Sequence, residues 1–288
     1  MDQIINAVSL GSIYALVALG YTMVYGIIRL INFAHGDMLM LGTYIGYFFI
    51  TVLKIDFFAA LILTMLICAL GGVLIERVAY KPLRKSPRIA ALITAIGVSY
   101  FIENMMMVTV GSESRAFPNV LGNAAISILG TQISIKQIII LVVTIILMIV
   151  LTLTIKKTKM GKAMRAVSTD EEAAQLMGIN VNHVISFTFL LGSALAGAAG
   201  VLVGMYYGSL SPLMGVQPGL KAFIAAVLGG IGNVPGAMLG GYLIGILETV
   251  VNVLGFSSYK DALVYAILIV ILIVKPAGLL GKAVKEKV

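Results

Sequence analysis

The chain has 288 residues, of which 60% are hydrophobic and only 11% charged, and its mean hydropathy is +1.07. A soluble domain of this length needs far more surface charge, so the composition excludes one and defines an integral membrane protein. The net charge of +8 reads as the cation bias that orients a membrane protein rather than as a nucleic-acid surface, and a single Cys68 excludes a disulfide framework.

Apolar windows of about 20 residues fall at 4–28, 37–53, 57–75, 89–110, 135–155, 181–207, 220–231 with 235–254, and 258–275. The segments 37–53 and 220–231 are short, so eight or nine spans are expected. No basic region precedes the first window, so no cleavable signal peptide is expected, and the acidic start points outward. Between the first two windows, Asn32-Phe33-Ala34-His35-Gly36 interrupts the helix. A broken helix here can line a path or form a gate through Asn32, His35 and Asp37, although Asp37, in the first turn, reads first as a helix cap. Glu103 beside Asn104, and Glu248 one turn before Asn252, put carboxyls inside spans. There they are costly and are functional candidates by default. Gly111 to Ser134 is the longest outer loop and reads as plain surface.

The stretch 156–182 is the one long polar segment. It opens with Lys156, Lys157, Lys159, Lys162 and Arg165. Thr169 with Glu172 three residues on fits a capping box, and Asp170 and Glu171 suit the positive end of a helix dipole. Ala173 and Ala174 continue the helix, and Gly178 closes it. A short capped helix without a core of its own is expected to touch a partner. Ala196, Gly200, Gly204 and Gly208 form one small-residue stripe and Gly232, Gly236 and Gly240 another, both read as packing within the subunit. A second break is expected at 231–236. Asn233-Val234-Pro235-Gly236 there shares Gly-x-Met-Leu with the first break, a weak sign of a parallel internal repeat.

Fifteen of the 20 Lys and Arg residues (Arg29, the groups at 77–88 and 156–165, and four from Lys275 on) fall at one set of segment ends. The other five, Lys54, Arg115, Lys136, Lys221 and Lys260, read as loop cations of the opposite side. The rich side is then cytoplasmic, the N-terminus outside and the C-terminus inside, which puts 156–182 in the cytoplasm. There is no phosphate-binding loop, since Gly161-Lys162 runs into Ala163 without the upstream glycine. With two histidines and one cysteine, no metal site and no catalytic residue is assigned.

Five stretches then carry a specific likeness: Gly11-Ser12-Ile13-Tyr14-Ala15-Leu16, Ile31 to Asp37, Glu76 to Pro87, Asp170 to Ile179, and Gly219 to Phe223 through Gly229 to Ala237. The chain resembles the permease subunits of branched-chain amino-acid ABC importers, specifically the shorter of two paralogues. The resemblance implies an all-α polytopic bundle of 8–9 transmembrane helices with broken or re-entrant segments, a single permease domain over 1–288, and a bacterial inner-membrane location. It implies that Thr169 to Gly178 is the coupling helix, although the Leu-Pro ending usual after it is replaced by Val184-Ile185-Ser186. It implies a second permease paralogue, two ATPase subunits that bind the ATP, an extracytoplasmic solute-binding protein and lipid as partners, and no cofactor on this chain. Importers of urea, short amides or other amino acids share these features. A stand-alone channel is one alternative: Asn32-Phe33-Ala34 and Asn233-Val234-Pro235 resemble paired Asn-Pro-Ala loops, against which stand the missing prolines and the non-inverted orientation. A structural membrane scaffold, for which the small-residue stripes suffice, is another.

Overall fold

The computed structural model describes residues 2–84, 86–122, 124–128 and 131–281. Of the cations counted above, Lys85, Lys282, Lys285, Lys287 and the Arg88 side chain lie outside the described residues. The long apolar runs form α1 (Asp2–Ile28), α3 (Phe57–Ile75), α4 (Arg88–Val110), α5 (Ile135–Lys157), α8 (Val181–Tyr207), α10 (Val234–Val253) and α11 (Lys260–Val274). A π-helical turn, Glu76–Tyr80, prolongs α3. Seven helical stretches are long and apolar enough to cross a membrane.

Two more helices fall short of that. α2 (His35–Thr51) has 17 residues and α9 (Val216–Gly229) has 14, roughly 25 and 21 Å at 1.5 Å per residue, against a hydrocarbon core of about 30 Å. The eight or nine expected spans therefore resolve, among the described residues, into seven full-length helices and two short ones.

α1 and α8 are hydrophobic on all sides and are buried by their neighbours; that is the pattern of helices at the centre of a bundle rather than its edge. α1 packs on α10, α9 and α5, while α8 packs on α2 and α3. The outer faces of α4, α5 and α11 expose Ile89, Ile93, Phe101, Ile146, Ile149 and Ile273, which suits lipid or another membrane protein. Side-chain burial within the bundle proceeds through close backbone contacts. A Cβ at Gly200 would lie 2.0 Å from the Leu39 carbonyl oxygen on α2, and one at Gly240 would lie 1.9 Å from that of Ala225 on α9. Ala196 and Gly204 also face α2 residues, and Gly236 faces Gly229. Gly232 is not helical; it packs in the second break against Gly26. Gly208 does not belong to the stripe. It is the left-handed C-cap of α8 with open space around it.

The two ends differ in kind. One gathers the 29–34 break, the end of the α3 extension, the polar segment after α5, the 230–233 break and residues 275–281, joined by contacts such as Gly26 with Gly232 and Leu280 with Gly229. This is the cation-rich end. The other carries β1 (Arg115–Ala116) paired with β4 (Ser209–Leu210), and the hairpin strands β2 (Ala125–Ile128) and β3 (Thr131–Ser134). The outer loop thus contains short strands where plain loop was expected, and β1 ties it to the end of α8.

Replacing Gly200 by leucine forces α2 and α8 apart, an overpacking that costs about 1–3 kcal/mol. We expect a lower melting temperature in detergent for Gly200→Leu. Gly97→Leu, at a position with nothing within 4 Å, should melt with the wild type.

Candidate functional site

Three polar assemblies follow the bundle from one end to the other. The first is the buried start of α2, which the chain reaches from the 29–34 break. His35 is buried and stacks edge-on against Tyr21 with ring centroids 4.7 Å apart, over Gly20, where any side chain would collide with the imidazole. Gly20 is two turns from the end of α1, so α2 begins about 12 Å inside the bundle. Asn32 is buried too and accepts a 2.9 Å hydrogen bond from the Tyr80 hydroxyl. The start of α9 meets the start of α2: a Cβ at Gly215 would lie 2.1 Å from the Gly36 oxygen and one at Gly219 2.8 Å from its Cα. Two helix N-termini, each with unpaired N–H groups and positive dipole ends, thus converge in the interior. Asp37 and Glu103 line a cavity of about 110 Å³ beside them.

Asp37 is not the cap of α2. Ala34 occupies that position without a side-chain bond, and Asp37 is turned inward to the cavity. Asn104 also departs from expectation. It is exposed, and its amide donates to the Tyr100 carbonyl at 2.7 Å on its own helix, because the next residue along an α-helix points about 100° away from Glu103. Asn233 caps α10 by accepting from the Gly236 N–H and donates to the Leu280 carbonyl at 2.7 Å. It therefore pins the second break at the cation-rich end rather than in the interior.

The second assembly lies toward the other end. Glu248, buried on α10, accepts from the Tyr14 hydroxyl at 2.8 Å and from Lys221 at 2.9 Å, and Lys260 reaches it at 3.3 Å. Lys221 also pairs with Asp261 at 2.7 Å. A cavity of about 280 Å³ opens over Tyr14, Lys221, Lys260 and Asp261. Lys221 is therefore no loop cation: it sits within α9, 4% exposed. A charge in that position requires a buried counter-charge, and Glu248 supplies it. Opposite charges in two neighbouring apolar windows were the available signal. Asn252, one turn further along α10, is exposed and takes no part.

The third assembly is the polar segment at the cation-rich end, made of two helices. α6 (Lys159–Thr169) starts at Thr158, whose hydroxyl accepts from the Gly161 N–H. It buries Gly161, Met164 and Val167 at three-residue spacing, leaving its lysines outside. α7 (Glu171–Leu176) follows at once. Its cap is Asp170, accepting from the Ala173 N–H at 2.9 Å, not Thr169. Thr169 still belongs to α6 and donates to the Arg165 carbonyl, so the chain turns one residue later than a Thr169 box requires. Glu171 and Glu172 occupy the first turn of α7.

At the far end of α7 the Ile179 N–H bonds the Ala174 carbonyl and the Gly178 N–H bonds that of Gln175, a paired closure that needs the left-handed conformation. Gly178 has it, with φ +82°. Only Ala174 of this helix is buried. Leu176 and Met177 are 88% and 83% exposed. The segment leads into α8 beside Glu76, a fully buried acid that pairs with Arg84 and accepts from the Ser186 hydroxyl at 2.7 Å. Arg84 also donates to Asn182. Glu76 escaped sequence reasoning because it opens a basic stretch and looks like surface.

With this geometry in place, comparisons with known proteins become specific. A family profile described as "Branched-chain amino acid transport system / permease component" matches residues 3–272. The chain belongs to this permease family. It is 45% identical to the high-affinity branched-chain amino acid transport system permease protein BraD of Pseudomonas aeruginosa, covering all of this chain and 98% of that one. It is 44% identical to the corresponding protein LivH of Escherichia coli K12, over all of this chain and 97% of that one. The ribose import permease protein RbsC of Haemophilus influenzae is 29% identical over 94% of this chain and 84% of its own. No solved structure matches. The protein is thus a multi-pass membrane permease component of a transporter, a part of a multi-component system.

In this permease the ion pair of Lys221 with Glu248 couples α9 to α10. Removing Lys221 leaves Glu248 only the longer ion pair with Lys260, and removing Glu248 leaves Lys221 only Asp261, so the cost approaches the roughly 3–5 kcal/mol of breaking a buried pair. Lys221→Met and Glu248→Gln should each lower thermal stability sharply. The double variant Lys221→Met/Glu248→Met should recover most of the loss, measured by melting of the purified protein.

Proposed function

We propose that this permease component serves an ATP-driven importer of branched-chain amino acids (leucine, isoleucine and valine), with ATP hydrolysis confined to two separate ATPase subunits. The observation that carries the reading is α7. It is capped at both ends, keeps one residue buried, and holds Leu176 and Met177 almost fully exposed. Two large apolar side chains on a rigid polar segment suit a partner's groove better than water. Asp170, Glu171, Glu172 and Ala173 form the rest of that contact. With the cation-rich end in the cytoplasm, α7 faces the compartment that holds ATP. α7 runs through residues 177–180 into α8 and touches it, and α8 is tied to the end of α3 and the segment after it through Glu76, Arg84 and Asn182, so a push on α7 reaches the long central helix.

The sequence carries no phosphate-binding loop, and no cluster of His, Cys, Asp and Glu that could hold a metal occurs among the described residues; both are in keeping with ATP hydrolysis on separate subunits. A paralogous second permease and an extracytoplasmic binding protein complete the assembly in this reading. The amino-acid substrate rests on the full-length likeness to BraD and LivH. A related small solute is the second reading, favoured by the likeness to a permease named for ribose.

Leu176→Asp combined with Met177→Asp should reduce co-purification of the ATPase subunits at least tenfold and abolish uptake, with unchanged amounts of the permease in the membrane. Normal uptake by that variant would remove α7 from the coupling role.

A further inference from the structure

The cavity over Lys221 and Asp261 has a charge pattern that a simple ion gate does not need. Two cations, Lys221 and Lys260, face two anions, Glu248 and Asp261, so the cluster is neutral as a whole. Its members are not equally engaged. Glu248 is saturated by Tyr14, Lys221 and Lys260, and Lys221 is spent between two acids. Lys260 holds Glu248 through the longest of these contacts, 3.3 Å, and Asp261 has Lys221 as its one ion-pair partner among the described residues. Each keeps hydrogen-bonding capacity beyond its one ion pair, a second carboxylate oxygen on Asp261 and further N–H donors on Lys260, and both side chains are accessible, 38% and 36% exposed. Beside them the wall is mixed: Val203, Leu210, Met214 and Pro218 form an apolar part, and Tyr207, Ser209, Ser211 and Gln217 a polar one.

We infer that this cavity is a binding site for a zwitterionic amino acid with an apolar side chain: Lys260 takes the carboxylate, Asp261 the ammonium, and the Val203–Leu210–Met214 wall the side chain. A neutral cluster with separated positive and negative arms favours a dipolar ligand over a net ion, since a net ion leaves one arm uncompensated. The cavity, about 280 Å³, falls just below the range of roughly 300–1,000 Å³ that suits drug-sized ligands, which fits one amino acid. Its position at the end away from α7 makes it the place where a delivered solute first meets the permease. The inference rests on the importer reading above for the identity of that solute.

The test uses the assembled transporter in lipid nanodiscs without binding protein. Cys68 is buried, so Ser211→Cys at the cavity wall introduces the one accessible thiol of this chain, and labelling is read on this subunit after separation from its partners. Saturating leucine should slow its labelling by a water-soluble maleimide at least fivefold. Leucinamide, lacking the carboxylate, and 4-methylpentanoate, lacking the ammonium, should not. Adding Asp261→Asn or Lys260→Gln should raise the leucine concentration for half-protection about tenfold. Equilibrium binding of radiolabelled leucine to the complex without the cysteine should give the same order.

A complex that imports leucine with its binding protein, yet shows no protection and no binding, overturns the site and leaves the importer reading intact. Equal protection by all three compounds also overturns it. Protection by leucine in a complex that imports only some other solute upholds the site and overturns the substrate reading. Neither import nor protection by leucine overturns both.

Discussion

Inside a bilayer no water is available to satisfy a backbone N–H or carbonyl, so a helix can begin there only if protein covers its open end. This permease begins two helices in its interior. The first turns of α2 and α9 meet through Gly36, Gly215 and Gly219, where the backbones are too close for any Cβ, and α1 and α8 wrap the junction. The rest of the architecture follows from that demand. α1 and α8 must be apolar on all sides because they are surrounded, and α2 can lie on α8 only through Gly200 and its neighbours. The polar groups that the breaks expose then have to be matched one by one, as Asn32 is by Tyr80.

The same constraint places the charges. Lys221 and Glu248 are each intolerable alone in an apolar bundle, yet as a pair they join the short helix α9 to the full-length helix α10. Asp261 and Lys260 extend the network to the start of α11. Four charges therefore bind three helices at the end opposite the cation-rich one, while Glu76 and Arg84 lock α3's extension to α8 at the other. Between the two locks lies the junction of half-helices with Asp37 and Glu103. A subunit arranged this way has charge-paired ends and a polar, glycine-lined middle.

Much of this was legible from the residues. Apolar runs located the long helices within a few residues, because a bilayer permits few other structures, and Gly178 announced the end of α7 through its need for positive φ. The failures have physical causes. Thr169 and Asp170 are both good caps, and composition does not say which residue leaves the preceding helix. α6 is hard to see because the residues it buries, Gly161, Met164 and Val167, are interspersed with lysines and an arginine. Lys221 was assigned to a loop since its partner is 27 residues away in sequence, and Asp37 was taken for a cap because first-turn position is silent about side-chain direction. The interior junction depended on α9 starting at Val216, four residues earlier than its apolar window, and no local pattern reports that.

In the proposed role, this chain is a passive gate that separate ATPases move through α7. Reconstitution in liposomes tests it most directly. The permease with its paralogue, the ATPases and the binding protein should accumulate leucine only when ATP is supplied, and the permease alone should pass none. Downhill leucine flux through the chain alone, independent of ATP and partners, would contradict the account and identify a channel instead.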